Sequence, residues 1–342
     1  MTRPLRFALF GTGFWSRFQI AGWQETGGAE CVALYNRTAA RARELGDLTG
    51  LQARVYSDPR VLLKSEQLDF VDIVTNPESH AELTALAASF GLPVVCQTPM
   101  APSWCESKAM VQACRDAGVP LFINENWRWQ QPIRKLREIL DSGVIGEPYR
   151  ARIRMVSGFP VFDNQPALRE IEKFLLVDIG SHILDVARFL FGEPKSLYCH
   201  TQRIQGHIRG EDVATVMLKT GNGGTVLCEM GYAGTPLEND CFPQTFAFVE
   251  GDKGSVELRR DYELRITNFS GTKIAHAPPP RYAWADPSYE VVHASIVPCH
   301  ANLLAGLRGE AMPETTGDDN LKTMRLVHEA YESALCDEVI AL

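Results

Sequence analysis

Short, uninterrupted apolar runs alternate with helix-like stretches over residues 1–123. Runs of this length are typical of strands that are buried on both faces of a sheet. The predicted strands, in chain order, are residues 5–10, 31–35, 70–75, 93–96 and 119–123. The predicted helices between them are residues 38–46, 80–90 and 103–117. This β-α-β alternation predicts an α/β fold whose first domain is an open, doubly wound parallel sheet of the Rossmann type.

From residue 124 onward the apolar positions alternate with polar ones, and this pattern is typical of half-buried antiparallel strands. The predicted strands are residues 149–156, 212–220, 223–232, 253–260 and 262–268, and the predicted helices are residues 131–142 and 178–191. Asn222-Gly223 and Asp261 mark two hairpins. The sequence therefore predicts an α+β domain over residues 124–318, built on a large, mainly antiparallel open sheet. A last helix, residues 319–336, is expected to pack back on the first domain.

Composition and charge exclude several classes of protein. The 342 residues carry 34 basic and 42 acidic side chains, and no run of Lys or Arg exceeds two residues, so we expect no nucleic-acid partner. The apolar runs are far shorter than the ~20 residues of a membrane helix. The nine cysteines show no C-x-x-C pair, which favours reduced thiols and a cytoplasmic protein. The eight histidines show no metal-binding spacing, so no metal site is predicted.

A glycine-rich segment of the form G-x-G-x-x-S follows the first predicted strand and opens a helix. In a dinucleotide-binding loop, the first glycine allows the tight turn and the second lets the pyrophosphate approach the backbone at the helix N-terminus. A plain turn is the alternative for so short a motif. The predicted cofactor-binding residues of this loop are Gly11, Thr12, Gly13, Phe14 and Trp15.

The end of the second strand bears on the choice of dinucleotide. NAD-binding domains usually place an acidic residue there for the ribose 2′-hydroxyl, but this chain has Asn36 and Arg37. A basic side chain would suit a 2′-phosphate, so NADP is preferred over NAD. Alternatively, Arg37, Arg41 and Arg43 form a solvated helix face.

Three further segments carry chemistry: residues 75–80 (TNPESH), residues 96–101 (CQTPMA) and residues 178–185 (DIGSHILD). Together with the glycine loop, and in this order, they resemble the family of glucose–fructose oxidoreductase, inositol dehydrogenase and rhizopine-catabolism oxidoreductases. The segment of residues 125–130 (ENWRWQ) and the CQ-x-PMAP pattern are similar to the branch that contains D-apiose dehydrogenase. The resemblance implies a homodimer or homotetramer, for which the open face of the second sheet is the predicted interface.

The resemblance also implies roles for individual residues, in an oxidoreductase that moves a hydride between nicotinamide and a sugar, polyol or inositol. It implies that His182 is the general acid/base and that Asp178 binds the substrate or orients the histidine. The cofactor set extends to Asn76, Pro77, His80 and Gln97. The expected substrate-binding residues are Glu125, Asn126, Arg128, Arg154 and Asp163. Asp185 is expected to be structural and to pair with Arg188, and Trp127 and Trp129 are either sugar platforms or core.

Thr98 departs from the family, which usually has a lysine in an E-K-P motif at this position. Threonine carries no charge and cannot act as a base near neutral pH. The sequence therefore leaves three hypotheses: a dehydrogenase that works with His182, a catalytically impaired dinucleotide- or sugar-binding protein, and an enzyme that recycles a tightly held cofactor. Lys173 either replaces the missing lysine or is an ordinary surface residue.

Overall fold

The computed structural model describes residues 3–232 and 244–342. It divides the chain into two compact units, which are described separately. The first unit contains residues up to 125, 283–285 and 296–324, and the second contains residues 126–282, 286–295 and 325–342. The predicted second domain, residues 124–318, differs from the second unit because residues 296–318 group with the first unit.

The first unit contains a six-stranded sheet in the order β3-β2-β1-β4-β5-β6, and every pairing in it is parallel. Its strands are β1 Leu5–Phe10, β2 Ala29–Tyr35, β3 Arg54–Tyr56, β4 Phe70–Ile73, β5 Val94–Cys96 and β6 Leu121–Ile123. Its helices are α1 Ser16–Thr26, α2 Ala39–Thr49, α3 Pro59–Ser65, α4 His80–Ser89 and α5 Trp104–Ala117. The Rossmann prediction is confirmed.

The central strands of this sheet form the core of the unit. Every residue of β4, β5 and β6 is buried, as the short apolar runs predict, and this includes Asp72 within β4. Phe7 on β1 stacks on Phe70 on β4, with ring centroids 4.9 Å apart. The sequence analysis missed β3, a three-residue edge strand in which no residue is fully buried.

The second unit contains a nine-stranded sheet in the order β14-β13-β12-β11-β7-β10-β9-β8-β15. Its strands are β7 Pro148–Val156, β8 Pro194–Gln202, β9 Val213–Thr220, β10 Thr225–Gly231, β11 Phe246–Gly251, β12 Gly254–Leu258, β13 Glu263–Asn268, β14 Gly271–His276 and β15 Ile340–Ala341. Its own helices are α6 Gln131–Asp141, α7 Val161–Asn164 and α8 Ser181–Phe191, with a π-helical turn, Leu176–Gly180, directly before α8. Two longer helices, α9 Glu290–Leu307 and α10 Gly317–Cys336, each contribute residues to both units.

The predicted mainly antiparallel sheet is confirmed, with one exception. β7 pairs with β10 in parallel, whereas the other pairings in this sheet are antiparallel. The Asn222-Gly223 hairpin is present between β9 and β10, and the φ of 90° at Gly223 is one that glycine adopts without strain. Within the described ranges, no helix combines the length and apolar character that crossing a membrane requires.

Candidate functional site

The glycine loop after β1 has the shape that a pyrophosphate needs. Gly11 has a φ of 105°, and a Cβ there would lie 2.4 Å from the Val74 carbonyl oxygen, so only glycine fits. A Cβ on Gly13 would meet nothing within 4 Å, so the backbone there faces open space. Ser16 starts α1 and donates a hydrogen bond from Oγ to the Gly11 carbonyl, at 3.1 Å. These residues fit a dinucleotide phosphate at the helix N-terminus.

Asn36 ties the end of β2 to this loop. Its Nδ2 donates to Thr12 Oγ1 at 2.7 Å, and its Oδ1 accepts from the Thr38 backbone N–H at 2.8 Å. Both ends of the amide are therefore engaged within the protein. Arg37 next to it is exposed, as is Phe14 in the loop.

Asn76, Pro77, Gln97 and Thr98 follow β4 and β5 directly, at the edge of the sheet where β1 also ends. Open α/β sheets bind ligands at the carboxyl ends of their strands. Asn76 is exposed there, and Gln97 and Thr98 are partly exposed. The structure thus brings these predicted residues to one edge of the first unit.

His80 does not belong to this exposed group. Its ring has no exposed surface, and burial lowers its pKa. Nε2 lies 3.0 Å from the Thr75 carbonyl oxygen, and Nδ1 lies 3.1 and 3.2 Å from those of Pro99 and Met100. The ring therefore links the loops after β4 and β5, and the cofactor contact of His80 stays a prediction.

Asp178 and His182 lie in the second unit, at the junction of the π-helical turn and α8. π-Helical turns occur frequently at functional sites. Burial raises the pKa of Asp178 to about 6, while the charge of His182 acts in the opposite direction. The two side chains are therefore close enough to interact electrostatically. The indole of Trp127, which is buried, stacks on the His182 ring.

Glu211 fixes the backbone that leads into this turn. Its Oε1 accepts hydrogen bonds from the Leu176 backbone N–H at 3.0 Å and from the Tyr331 hydroxyl at 2.6 Å. Its Oε2 accepts from the Phe174 N–H at 3.2 Å. A carboxylate at the start of a helix satisfies backbone N–H groups that have no helical partner.

Sequence reasoning missed both Glu211 and Tyr232. Tyr232 is buried next to the end of β10, and the charge of Asp178 contributes to raising its pKa, although burial is the larger cause. Phe174 stacks on Tyr232 with centroids 6.2 Å apart. The tyrosine is the last residue of a predicted strand, but no local pattern links it to Asp178, 54 positions earlier in the chain.

Three expected substrate-binding residues are enclosed in the protein. Arg128 donates to both carboxylate oxygens of Asp185, at 2.7 and 2.5 Å, and only 5% of the arginine is exposed. Arg188 also approaches Asp185, at 3.6 Å, which is the predicted pairing. Asn126 donates to Ser295 Oγ at 2.9 Å, and Glu125 has no exposed surface. These partners give Arg128, Asn126 and Glu125 a place in the packing of the protein, and their assignment to the substrate stays a prediction.

Arg154 lies away from the Asp178 turn. Met230 on β10 packs against Gly180 of the turn, whereas Arg154 lies on the opposite face of the sheet, beside Phe246. The substrate role of Arg154 stays a prediction. Asp163 is exposed and pairs with Arg169 at 2.9 Å.

Lys173 and Trp129 both take part in cation–π contacts. The ammonium group of Lys173 lies 4.9 Å from the centroid of the Tyr331 ring. The guanidinium group of Arg134 lies over the Trp129 ring, at 4.2 Å. In the part of the chain that the structure describes, no group of three or more His, Cys, Asp or Glu side chains is arranged to hold a metal ion.

Comparison with known families accounts for both units. A family model described as the oxidoreductase family, NAD-binding Rossmann fold, matches residues 5–125. A second model, the GFO/IDH/MocA C-terminal domain, matches residues 133–257. The chain belongs to the GFO/IDH/MocA oxidoreductase family. The resemblance inferred from the sequence is thereby confirmed.

Members of this family with high similarity are sugar dehydrogenases. A D-apiose dehydrogenase of Paraburkholderia graminis is 43% identical over 96% of this chain and 87% of its own length. A D-apiose dehydrogenase of Rhizobium rhizogenes is 39% identical over 96% of this chain and 95% of its own. The crystal structure of an Agrobacterium radiobacter oxidoreductase with NAD+, L-tartaric acid and magnesium has a TM-score of 0.95 and 38% identity, with 98% of both chains covered.

These relatives confirm the predicted branch of the GFO/IDH/MocA family and the predicted enzyme class. The chain is an NAD(P)-dependent oxidoreductase of the sugar dehydrogenase type. The alternative of a binding protein that has lost its activity is not favoured.

Proposed function

We propose that this chain oxidises a hydroxyl group of D-apiose or a similar branched sugar, with a nicotinamide dinucleotide as hydride acceptor. The observation that carries the proposal is that Asp178 and His182 lie at the π-helical turn, where the charge of His182 acts on the pKa of Asp178. The identity of 43% and 39% to two D-apiose dehydrogenases supports the choice of sugar. In this proposal, the first unit binds the dinucleotide, and the second unit provides the acid/base pair.

Oxidation of an alcohol removes a hydride from carbon and a proton from oxygen. A bound nicotinamide dinucleotide supplies the hydride acceptor. A ring nitrogen of His182 accepts the hydroxyl proton, because histidine is the side chain that titrates nearest neutral pH. The Asp178 carboxylate stabilises the positive charge that the imidazole gains. The stacked Trp127 ring holds the imidazole plane.

Thr98 takes the place of the family lysine in this scheme. Its hydroxyl donates a hydrogen bond to the sugar oxygen, but it supplies no positive charge. His182 is therefore the group that removes the proton. This division predicts that replacement of His182 costs about 10²–10⁴ in kcat, the usual contribution of a general acid/base.

We also propose that NADP+ is preferred over NAD+. The residue at the end of β2 is the neutral Asn36, so no carboxylate there repels a 2′-phosphate. Hydrogen bonds with Thr12 and with the Thr38 backbone hold its side chain. Arg37 follows it and is exposed. A guanidinium group binds phosphate through several charge-assisted hydrogen bonds.

We further propose that the chain forms a homo-oligomer through the open face of the second sheet. Met217, Leu227, Arg152 and Phe248 are register partners on four adjacent strands and form one row on this face. Met217 is 44% exposed and Phe248 is 40% exposed. A second copy of this chain would cover these apolar side chains.

The experiment that tests the activity follows absorbance at 340 nm with NAD+ or NADP+ and a panel of D-apiose, unbranched aldoses and inositols. The wild-type protein is expected to reduce cofactor with D-apiose, His182→Asn is expected to lose turnover, and Thr98→Lys is run in parallel. Turnover by Thr98→Lys alone would instead support the binding-protein hypothesis. Cofactor that remains bound through purification and is reduced without added NAD(P)+ would support cofactor recycling.

A further inference from the structure

Asp72 on β4 is a buried carboxylate that the proposed reaction does not use. It has no exposed surface, and burial raises its pKa to about 6. Oδ2 accepts hydrogen bonds from Gln19 Nε2 and Trp23 Nε1, both at 2.7 Å. Oδ1 accepts from Asn124 Nδ2 at 3.3 Å. These donors are all neutral, so hydrogen bonds alone compensate for its burial.

Two amide side chains continue from this carboxylate to the exposed edge of the sheet. Gln19 Oε1 accepts from Gln97 Nε2 at 2.8 Å. Gln97 Oε1 accepts from the Thr98 backbone N–H at 3.3 Å. Asp72, Gln19, Gln97 and Thr98 thus form one continuous chain of hydrogen bonds, the Asp72–Thr98 chain, which begins in the core and ends where β5 ends.

The direction of every hydrogen bond in the Asp72–Thr98 chain follows from its buried end. An ionised carboxylate only accepts, so Gln19 must turn its NH₂ group toward Asp72. The Gln19 oxygen then faces Gln97, which must in turn present its own NH₂ group. The Gln97 oxygen is left to accept from Thr98. Reversal of either amide would place two donors or two acceptors against each other, in a site that is buried at Gln19 and partly buried at Gln97.

We propose that Asp72 is a positioning residue that sets the orientation of the Gln97 amide and thereby holds Thr98 in place. The inference rests on the proposed function, in which Thr98 contacts the reacting hydroxyl. Asp72 acts through Gln19 and Gln97 and does not contact the substrate. The neutral amides of Gln19 and Gln97 thus fix the position of residue 98 through hydrogen bonds.

Protonation of Asp72 leaves this orientation unchanged. The other titratable groups near the carboxylate are the Cys31 and Cys96 thiols, and burial raises the pKa of Cys31 to about 12 and that of Cys96 well above 9.0. His300 stacks on Trp23 at 3.9 Å, and burial lowers its pKa to about 3. All three are neutral near pH 7. A proton on Oδ1 would face Asn124, whose amide can rotate to accept it, and Oδ2 still accepts from Gln19.

The same geometry provides a matched pair of variants. Asp72→Asn places its oxygen toward Gln19 and Trp23 and its NH₂ group toward Asn124, whose amide must rotate so that its oxygen accepts from that group. The Asp72–Thr98 chain then keeps its direction. Asp72→Leu has the same branched arrangement of side-chain heavy atoms but accepts no hydrogen bond. Gln19→Leu breaks the Asp72–Thr98 chain and leaves the Trp23 and Asn124 bonds to Asp72 intact, so it tests the inference even if Asp72→Leu does not fold.

Steady-state kinetics with D-apiose and backbone hydrogen exchange together test the inference. Asp72→Leu and Gln19→Leu are expected to lower kcat on the order of 10–100-fold, as misplacement near reacting atoms does, with little change in KM for the dinucleotide. Both should speed exchange at the Thr98 amide. Asp72→Asn should restore wild-type kcat and protection, and the pH profile should not shift.

Two results would overturn the inference: wild-type kcat and protection in both leucine variants, or an Asp72→Asn variant as impaired as Asp72→Leu. The exchange measurement needs no turnover. If the wild type oxidises no sugar on the panel, the proposed function fails, whereas exchange at the Thr98 amide still decides whether Asp72 holds this residue.

Discussion

The indole ring of Trp127 and the imidazole ring of His182 are parallel, with centroids 4.9 Å apart and an angle of 5° between their planes. Only 2% of Trp127 is exposed, so the indole is itself fixed by packing. A base must keep its orientation to accept a proton efficiently, and the stacked indole restricts rotation of the imidazole.

Trp127→Leu is therefore expected to lower kcat about tenfold or more, because the His182 ring loses its stacking surface. Trp129→Leu is the matched control, since Trp129 lies in the same short helical turn but carries Arg134 on its ring. The control should retain kcat within about twofold of wild type, a small effect on the same scale. Equal losses in the two variants, at unchanged melting temperatures, would argue against an orienting role.

Asp178 makes the stability of the protein depend on pH. Its pKa is raised from 3.8 to about 6, so the folded protein binds this proton more tightly than the unfolded chain does. The contribution of Asp178 to stability therefore falls as the pH rises from about 4 to about 6, and the destabilisation persists above that range. Asp178→Asn removes the charge, so it should raise the melting temperature more at pH 8 than at pH 5.

Differential scanning fluorimetry at the two pH values checks this expectation. Asp72, which has a similar shift, is present in both proteins and cancels in the comparison. Asp163→Asn serves as the control, because that carboxylate is exposed and pairs with Arg169. A gain in melting temperature that is independent of pH would contradict the assignment.

Arg37→Ala tests the proposed preference for NADP+. A hydrogen bond to a charged group contributes about 1.5–3 kcal/mol, so kcat/KM for NADP+ should fall about tenfold or more while that for NAD+ stays nearly constant. Arg43→Ala on the exposed surface of α2 is the matched control. A parallel loss with both dinucleotides would show that Arg37 does not recognise the 2′-phosphate.

Phe248→Lys and Met217→Lys test the proposed interface on the second sheet. Light scattering of the wild type should give a multiple of the 38.0 kDa chain mass, and the double variant should shift toward that mass. Phe269→Lys is the control, because Phe269 is 96% exposed and lies between β13 and β14. A monomeric wild type, or a double variant that keeps the wild-type mass, would exclude this face as the interface.

Much of the fold can be predicted from local sequence patterns. The strands that were not predicted show where such patterns fail. The buried strands of the first sheet are short, largely apolar runs, which their sequences predict directly. The edge strand β14 has no fully buried residue, so its sequence lacks the usual apolar signal. The parallel pairing of β7 with β10 joins strands that are about 75 residues apart, and no local periodicity specifies such a pairing.

The candidate site was harder to predict from sequence because the same polar side chains can either bind a ligand or satisfy buried polar groups of the protein. Asn126, Arg128 and His80 have the chemistry of ligand-binding residues, yet the structure uses them to satisfy buried backbone groups and a buried carboxylate. No sequence signal marks Asp72, because it lies within an apolar strand and belongs to no motif. Burial and partners, rather than residue type, separate these roles.

The partners of Glu211 also say something about the order in which the molecule forms. The backbone before Asp178 is held by a carboxylate 35 residues later in the chain, which in turn is held by Tyr331, 120 residues further on. Contacts between such distant positions form late, since long loops must close first. The turn that carries Asp178 should therefore reach its final geometry only when the C-terminal part of the chain has been synthesised and docked. A nascent chain that lacks residue 331 would have the sequence of the acid/base pair before it has the geometry.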